Sequence, residues 1–380
     1  MIRFSLTLKL AVLFVAVAAW AWSPNSAAAE VIRWPAVAGR NYPAEPEVLL
    51  STVRDFFEKA DAPDVPSRLV AVVASAAPYP FAGQVSAHAF KALQPGQYER
   101  VIIIAPGHGP MFENCSIPAL DIFLTPLGPV SVDAPALRYL LYSPMFHAHQ
   151  LRYKAGKPEE QIHEYEFAIE SLLPFLQERL QEFQLVPILV GDLRDPQGNV
   201  NKNTVRAIAE TIQSIINERT LVVVATSFTH YGAQYGPLEF KENLEDNIAR
   251  LDRQAFEHIL SLDLDGFRSY LQDSRNVIDG KDCLQILFYL LPREAQARIL
   301  AYDTSMAKTK DTKRSVSYAS FVFHDPSKPA LTAQPEKVRP LILRRPEKAA
   351  PREEGEGEAA AQKDAAAPEG EPDTPAAPVE

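Results

Sequence analysis

Four aliphatic runs, three of them nearly unbroken, constrain this chain most: Leu69–Ala74 (LVAVVA), Arg100–Ala105 (RVIIIA), Leu185–Val190 (LVPILV) and Leu221–Ala225 (LVVVA). A strand wet on one face alternates apolar and polar residues, whereas a strand covered on both faces reads as continuous. Between and around these runs, apolar residues at spacings of three and four predict helices over Glu47–Lys59, Val85–Leu93, Glu164–Phe183, Asn203–Asn217, Glu242–Leu260 and Leu284–Leu291. The alternation predicts an α/β fold with a mostly parallel central sheet flanked by helices. Ser317–Phe323 (SYASFVF) alternates more and is expected as a last, antiparallel strand. Pro106-Gly107 and Pro126-Leu127-Gly128 punctuate the pattern as turns. No repeat or internal boundary interrupts residues 30–325, a stretch long enough for a large core.

The two ends read differently. Arg3 and Lys9 precede an apolar run over residues 10–22, and Ser26-Ala27-Ala28-Ala29 supplies small residues before Glu30. Spanning a bilayer takes about 20 apolar residues. The shorter run predicts a signal peptide over residues 1–29, and a periplasmic or secreted protein with no membrane span after cleavage. The alternative is an uncleaved anchor with Trp20 and Trp22 at the interface. Residues 326–380 are expected as a disordered tail. Its last 35 residues are rich in Pro, Ala and Glu, hold ten acidic against three basic residues, and carry most of the chain's net charge of −10. Such a segment buries too little apolar surface to offset the entropy of ordering. The remainder is near neutral, which excludes the basic face that a nucleic-acid binder needs. Cys115 and Cys283 are too few for a disulfide framework; they are either a single bridge or two buried thiols.

Two of the eight histidines have informative positions. His108 follows the RVIIIA run within Pro106-Gly107-His108-Gly109, and His230 follows LVVVA within Phe228-Thr229-His230-Tyr231-Gly232. Ligands of open α/β sheets bind in the crevice beyond the carboxyl ends of the strands. Two imidazoles there are candidates for metal ligation, for acid–base work, or for ordinary loop hydrogen bonds. Asp279, in Ile278-Asp279-Gly280, is a third candidate, or simply a turn or cap aspartate. Glu166 and Glu170 are four apart, so on a continuous helix they share a face. Ser227 lacks the strained elbow of a nucleophilic serine. His147 and His149 read as surface loop residues, and His88, His163, His258 and His324 are assigned no role.

With these loops placed, the chain resembles the Memo-like family, whose bacterial members are called AmmeMemoRadiSam system protein B. The resemblance starts at Arg33-Trp34-Pro35-Ala36-Val37-Ala38-Gly39-Arg40-Asn41-Tyr42-Pro43, near the family's R-x-P-x-V-A-G-x-F-Y-P. It continues through Thr125-Pro126-Leu127-Gly128 with Asp133, Glu170 with Pro174-Phe175-Leu176, His230-Tyr231-Gly232, and Tyr302-Asp303-Thr304-Ser305. It implies a fold similar to class III extradiol dioxygenases and a metal-binding cleft. The family's P-H-A-G-Y reads Ala76-Ala77-Pro78-Tyr79 after Ser75, so Ala76 replaces a histidine while Tyr79 stands beside it. G-P-S-H keeps its histidine as His108. E-H-S-[IL]-E keeps Glu166 and Glu170 but has Phe167 for histidine. S-D-x-S-H-Y-G keeps His230 but has Ser227 for aspartate, and C-G-x-x-P has Asp279 for cysteine.

Two readings follow from the resemblance. In the first, the metal site is degenerate, no cofactor is expected, and the domain binds a small molecule or protein partner, or serves as a scaffold. In the second, His108, His230 and Asp279 form a two-histidine, one-carboxylate set holding a single transition-metal ion (iron, copper or zinc) in an oxidoreductase. Three substitutions remove donors and one adds a donor, which favours the first. The expected cleft residues are His108, His230, Asp279, Glu166, Glu170, Ser227 and Tyr79.

Overall fold

The computed structural model describes residues 30–61, 65–108, 112–148, 151–152, 160–195, 197–198, 200–236, 238–240 and 242–334. The segments read above as signal peptide and as the acidic end of the tail, and His149, lie outside the described residues. The predicted aliphatic runs become β1 (Ser67–Ala74), β2 (Arg100–Pro106), β3 (Gln184–Val190) and β4 (Thr220–Ala225), followed by β5 (Gln296–Thr304) and β6 (Ser315–Pro329). The main sheet runs in the order His230–Tyr231, β6, β1, β4, β2, β3, Cys115–Ile117, Phe146–Ala148, with β5 paired to β6. The four central strands are parallel. β6 joins β1 antiparallel, as its alternation predicted.

Burial explains why the centre reads as it does. Val101 through Ala105 are fully buried, as are Leu221, Val223 and Val224. Helices supply the cover. Pro46–Lys59 packs Leu49, Val53 and Phe57 inward, one residue per turn, with Pro46 at its first position, where a missing N–H costs nothing. Lys202–Gln213 is capped by Asn201, whose side chain accepts from the amides of Asn203 and Thr204. Burying each of these large aliphatic side chains contributes roughly 1.5–3 kcal/mol.

One helix expectation fails in a way that matters for the site. Glu164–Phe183 is not one helix; it is Ile162–Tyr165, a 3₁₀ turn at Glu170–Leu172, and Leu173–Leu180. A continuous helix would need the His163 and Glu166 carbonyls for its own amides. Instead the Arg33 guanidinium takes both, through Nε at 2.8 Å and Nη2 at 2.8 Å. Pro174 supplies no N–H and stands at the start of the last piece. Glu166 and Glu170 therefore share no helix face.

Smaller differences have local causes. The second helix starts at Tyr79, six residues before the periodicity emerges, because Pro80 opens its first turn. β5 is half exposed and carries no clean alternation, so it left no signal. β6 runs through Pro329, and Gln334 still donates to the Pro95 carbonyl, so order extends past the boundary at 325 that composition suggested. Cys115 and Cys283 are buried free thiols, the second of the two readings offered for them.

Candidate functional site

The loops leaving the carboxyl ends of β1, β2 and β4 open into one crevice of about 470 Å³, within the usual range for small-molecule sites. Ala76 and Ala77 come from the first loop, His108 from the second, and Thr226, Ser227 and His230 from the third. Asp279 arrives from the turn before helix Lys281–Leu290, and Phe167 from the broken segment described above. Lys281–Leu290 is seated through Gly280, where an added Cβ would lie 2.5 Å from the Ala225 carbonyl oxygen.

His108 is held between two carboxylates. Its backbone amide donates to Glu166 Oε2 at 2.6 Å, and its Nδ1 lies 3.1 Å from Glu166 Oε1. Its Nε2 lies 3.6 Å from Asp279 Oδ2, too long for a hydrogen bond. The ring stacks on Phe167 at 4.6 Å between centroids. Glu166 is itself fixed, because Oε1 also accepts the amides of Phe167 and Ala168. Burial opposes charge on His108, but the Asp279 and Glu166 carboxylates outweigh it and push the imidazole up to about 10.

Asp279 is equally oriented. Its Oδ1 accepts from the Ser227 amide at 2.6 Å, the Gly280 amide at 2.6 Å and the Thr226 hydroxyl at 3.1 Å, which leaves Oδ2 toward the crevice and His108. Burial raises its pKa, but the close approach of His108, the charges of His230 and His108 and the Ser227 amide outweigh it, so the net position is below the usual carboxylate range. His230 donates Nδ1–H to the Phe228 carbonyl at 2.7 Å, with the Val277 carbonyl at 3.2 Å, and in the neutral ring Nε2 is then a bare acceptor. Ser227 hydrogen-bonds Ser75 at 2.8 Å between hydroxyls, with no elbow and no histidine on its oxygen.

The structure therefore gathers His108, His230, Asp279 and Ser227 at one crevice, with Glu166 directly behind His108. Glu170 and Tyr79 do not belong there. Glu170 is fully buried and accepts from Arg33, from Tyr42, and from the amides of Ala36 and Val37 at 2.9 and 3.1 Å. It neutralises a buried guanidinium and pins the N-terminal segment. Tyr79 is 3% exposed and spends its hydroxyl on the Ser171 carbonyl at 3.0 Å. Among the described residues, no group of three or more His, Cys, Asp or Glu side chains comes together in a way that could hold a metal ion.

Sequence reasoning missed the far wall: Ser315, Val316 and Tyr318 of β6, with Asp311 and Arg314 just before it, and Tyr235. These residues carry no local motif. All but Tyr235 reach the site because β6 adds to the sheet beside β1, a pairing between positions some 250 residues apart.

Comparison with known proteins identifies the family. A family described as Memo-like protein matches residues 33–322, from the Arg33 clamp to β6. A MEMO1 family protein of Pyrococcus abyssi is 28% identical over 302 residues, covering 77% of this chain and 99% of that protein. One from Thermococcus kodakarensis is 29% identical over 303 residues, with 77% and 99% covered. One from Methanopyrus kandleri is 30% identical over 307 residues, with 77% and 98% covered. The match spans every strand of the parallel centre and every loop that builds the crevice, and on that basis the chain belongs to the Memo-like family.

Proposed function

We propose that this is an exported Memo-like domain whose crevice binds a ligand without a metal ion and without redox catalysis. The observation that carries the reading is the donor arrangement around His108. A transition-metal site of the oxidoreductase type needs at least three protein donors at roughly 2.0–2.3 Å from one point. Here only His108 Nε2 and Asp279 Oδ2 approach each other, at 3.6 Å, and no third His, Cys, Asp or Glu joins them among the described residues. The positions where the family motif carries further donors are Ala76, Phe167 and Ser227. Phe167 stacks on His108 where an imidazole would otherwise stand. The donors present do not fit the family's metal.

The crevice keeps what a binding site requires: a concave, largely apolar wall with a few fixed polar groups. Export rests on residues 1–29 and is part of the same proposal. The test is metal analysis of the mature protein from metal-replete medium, beside a His108→Ala/His230→Ala double variant. Substoichiometric metal in both, with similar thermal midpoints, is expected. Near-stoichiometric iron, copper or zinc that disappears in the variant would establish the oxidoreductase reading instead. Recovery of a mature chain starting at Glu30 outside the cytoplasm tests export.

A further inference from the structure

We propose that the crevice recognises an organic ammonium group carried on an apolar body; this rests on the metal-free binding reading above and names its ligand class. Charge is the first argument. His108, Glu166 and Asp279 together are net negative whether or not the imidazole is protonated. At the rim, Arg314 is already paired with Asp311 at 2.8 Å, so it offers no uncompensated positive charge to an anion. An anionic ligand would bring its charge beside the oriented Asp279 carboxylate, with the Glu166 carboxylate behind His108. A cation would complete them.

Unused acceptors are the second argument. Buried polar groups normally find partners, and those that do not mark a place for a ligand or water. Asp279 Oδ2 faces the crevice with His108 Nε2 3.6 Å away, beyond hydrogen-bond reach, while Oδ1 takes all three internal donors. Ser315 lines the same crevice, is 1% exposed, and its hydroxyl finds no hydrogen-bond partner among the described residues. The Nε2 of neutral His230 is a third acceptor. An ammonium group brings up to three N–H donors and no acceptor, so it matches this set in kind. Removing such a cation from water is tolerable only against a carboxylate with further acceptors to hand.

The walls supply the rest. Phe81, Tyr235, Tyr318 and Val316 line the crevice with apolar and aromatic surface, suited to a hydrocarbon or ring body and attractive to a cation lying against a ring face.

The experiment is calorimetric titration of the full chain with phenethylammonium chloride and, separately, with sodium phenylacetate, which keeps the ring and reverses the charge. Saturable single-site binding of the ammonium and none of the carboxylate is expected. Asp279→Asn keeps an Oδ1 acceptor for its three internal donors, so it preserves the turn, and it should weaken binding roughly tenfold or more by losing the charged partner. Ser315→Ala removes an unpaired hydroxyl, so it should leave the thermal midpoint unchanged or raised while weakening binding several-fold. Equal or tighter binding of phenylacetate, no saturable heat from phenethylammonium, or binding indifferent to both substitutions would each overturn the proposal. Metal analysis of the same preparations separates the two readings. Stoichiometric metal refutes metal-free binding whatever the calorimetry gives, whereas metal-free protein that ignores phenethylammonium refutes the ligand class alone.

Discussion

Replacing Glu170 by Gln should be among the most damaging conservative changes in this protein, although the residue does not line the crevice. Arg33 and Glu170 both have fully buried side chains. Glu170 accepts four hydrogen bonds, from the Arg33 guanidinium, the Tyr42 hydroxyl, and the amides of Ala36 and Val37. Glutamine fits the volume but turns two of those acceptor sites into donors facing donors. It also strands the Arg33 charge, whose remaining partners are the carbonyls of His163, Trp34 and Glu166. Breaking a buried pair by removing one partner costs about 3–5 kcal/mol. Domains are typically stable by about 5–15 kcal/mol in all, so roughly a fifth or more of the total is at stake. Urea unfolding followed by circular dichroism should show the midpoint falling at unchanged slope, since the buried surface is the same. Because Arg33 also fixes the two carbonyls that break the Ile162–Leu180 segment, the loosened region should include Glu166 and, through it, His108. Adding Arg33→Met to Glu170→Gln should recover part of the loss, because no buried charge is then left unpaired while the remaining glutamine oxygen still accepts. A Glu170→Gln loss below about 1 kcal/mol, or a double variant worse than the single, would refute this account of the pair.

Three further outcomes follow from particular contacts. His163 is 3% exposed, and burial, aided by the nearby Arg33 charge, lowers its imidazole to about 3 despite a hydrogen bond to the Ser116 backbone. Its folded pKa is depressed, so its contribution is intact above the unfolded value near 6.5 and is lost as pH falls toward 3. Lowering the pH from 7.5 to 4.5 should cost wild type about 2–3 kcal/mol from this group, and a His163→Gln variant should show a flatter urea midpoint over the same interval. Gly280→Ala would place a methyl 2.5 Å from the Ala225 carbonyl oxygen and 2.5 Å from Thr226 Cβ, so it should destabilise by about 1–3 kcal/mol and move Asp279 off its three donors, visible as altered amide shifts at Ser227. Asn201→Ala should cost about 1 kcal/mol by leaving two amides of helix Lys202–Gln213 uncapped, with a drop in thermal midpoint and no effect on ligand binding.

The sequence by itself determined the layers. Strands as unbroken as Val101–Ala105 have no wet face, so a helix-covered sheet was the fold open to them, and parallel order follows from the helices between them. It also placed His108 and His230 near a common edge, because loops at the carboxyl ends of such strands share one crevice, and it left Asp279 open between a third cleft residue and a turn or cap aspartate. Which neighbours complete that crevice was decided only in three dimensions. Glu166 and Glu170 lie four residues apart in one apparently helical stretch, yet one side chain steers His108 and the other neutralises Arg33. The reason is Arg33, more than 120 residues away, which competes successfully for carbonyls that a local helix would otherwise use. The Ser315 wall is likewise invisible locally, because the pairing of β6 with β1 is a long-range contact that no short pattern encodes. Periodicity reports which face of an element is buried; only packing reports what it is buried against.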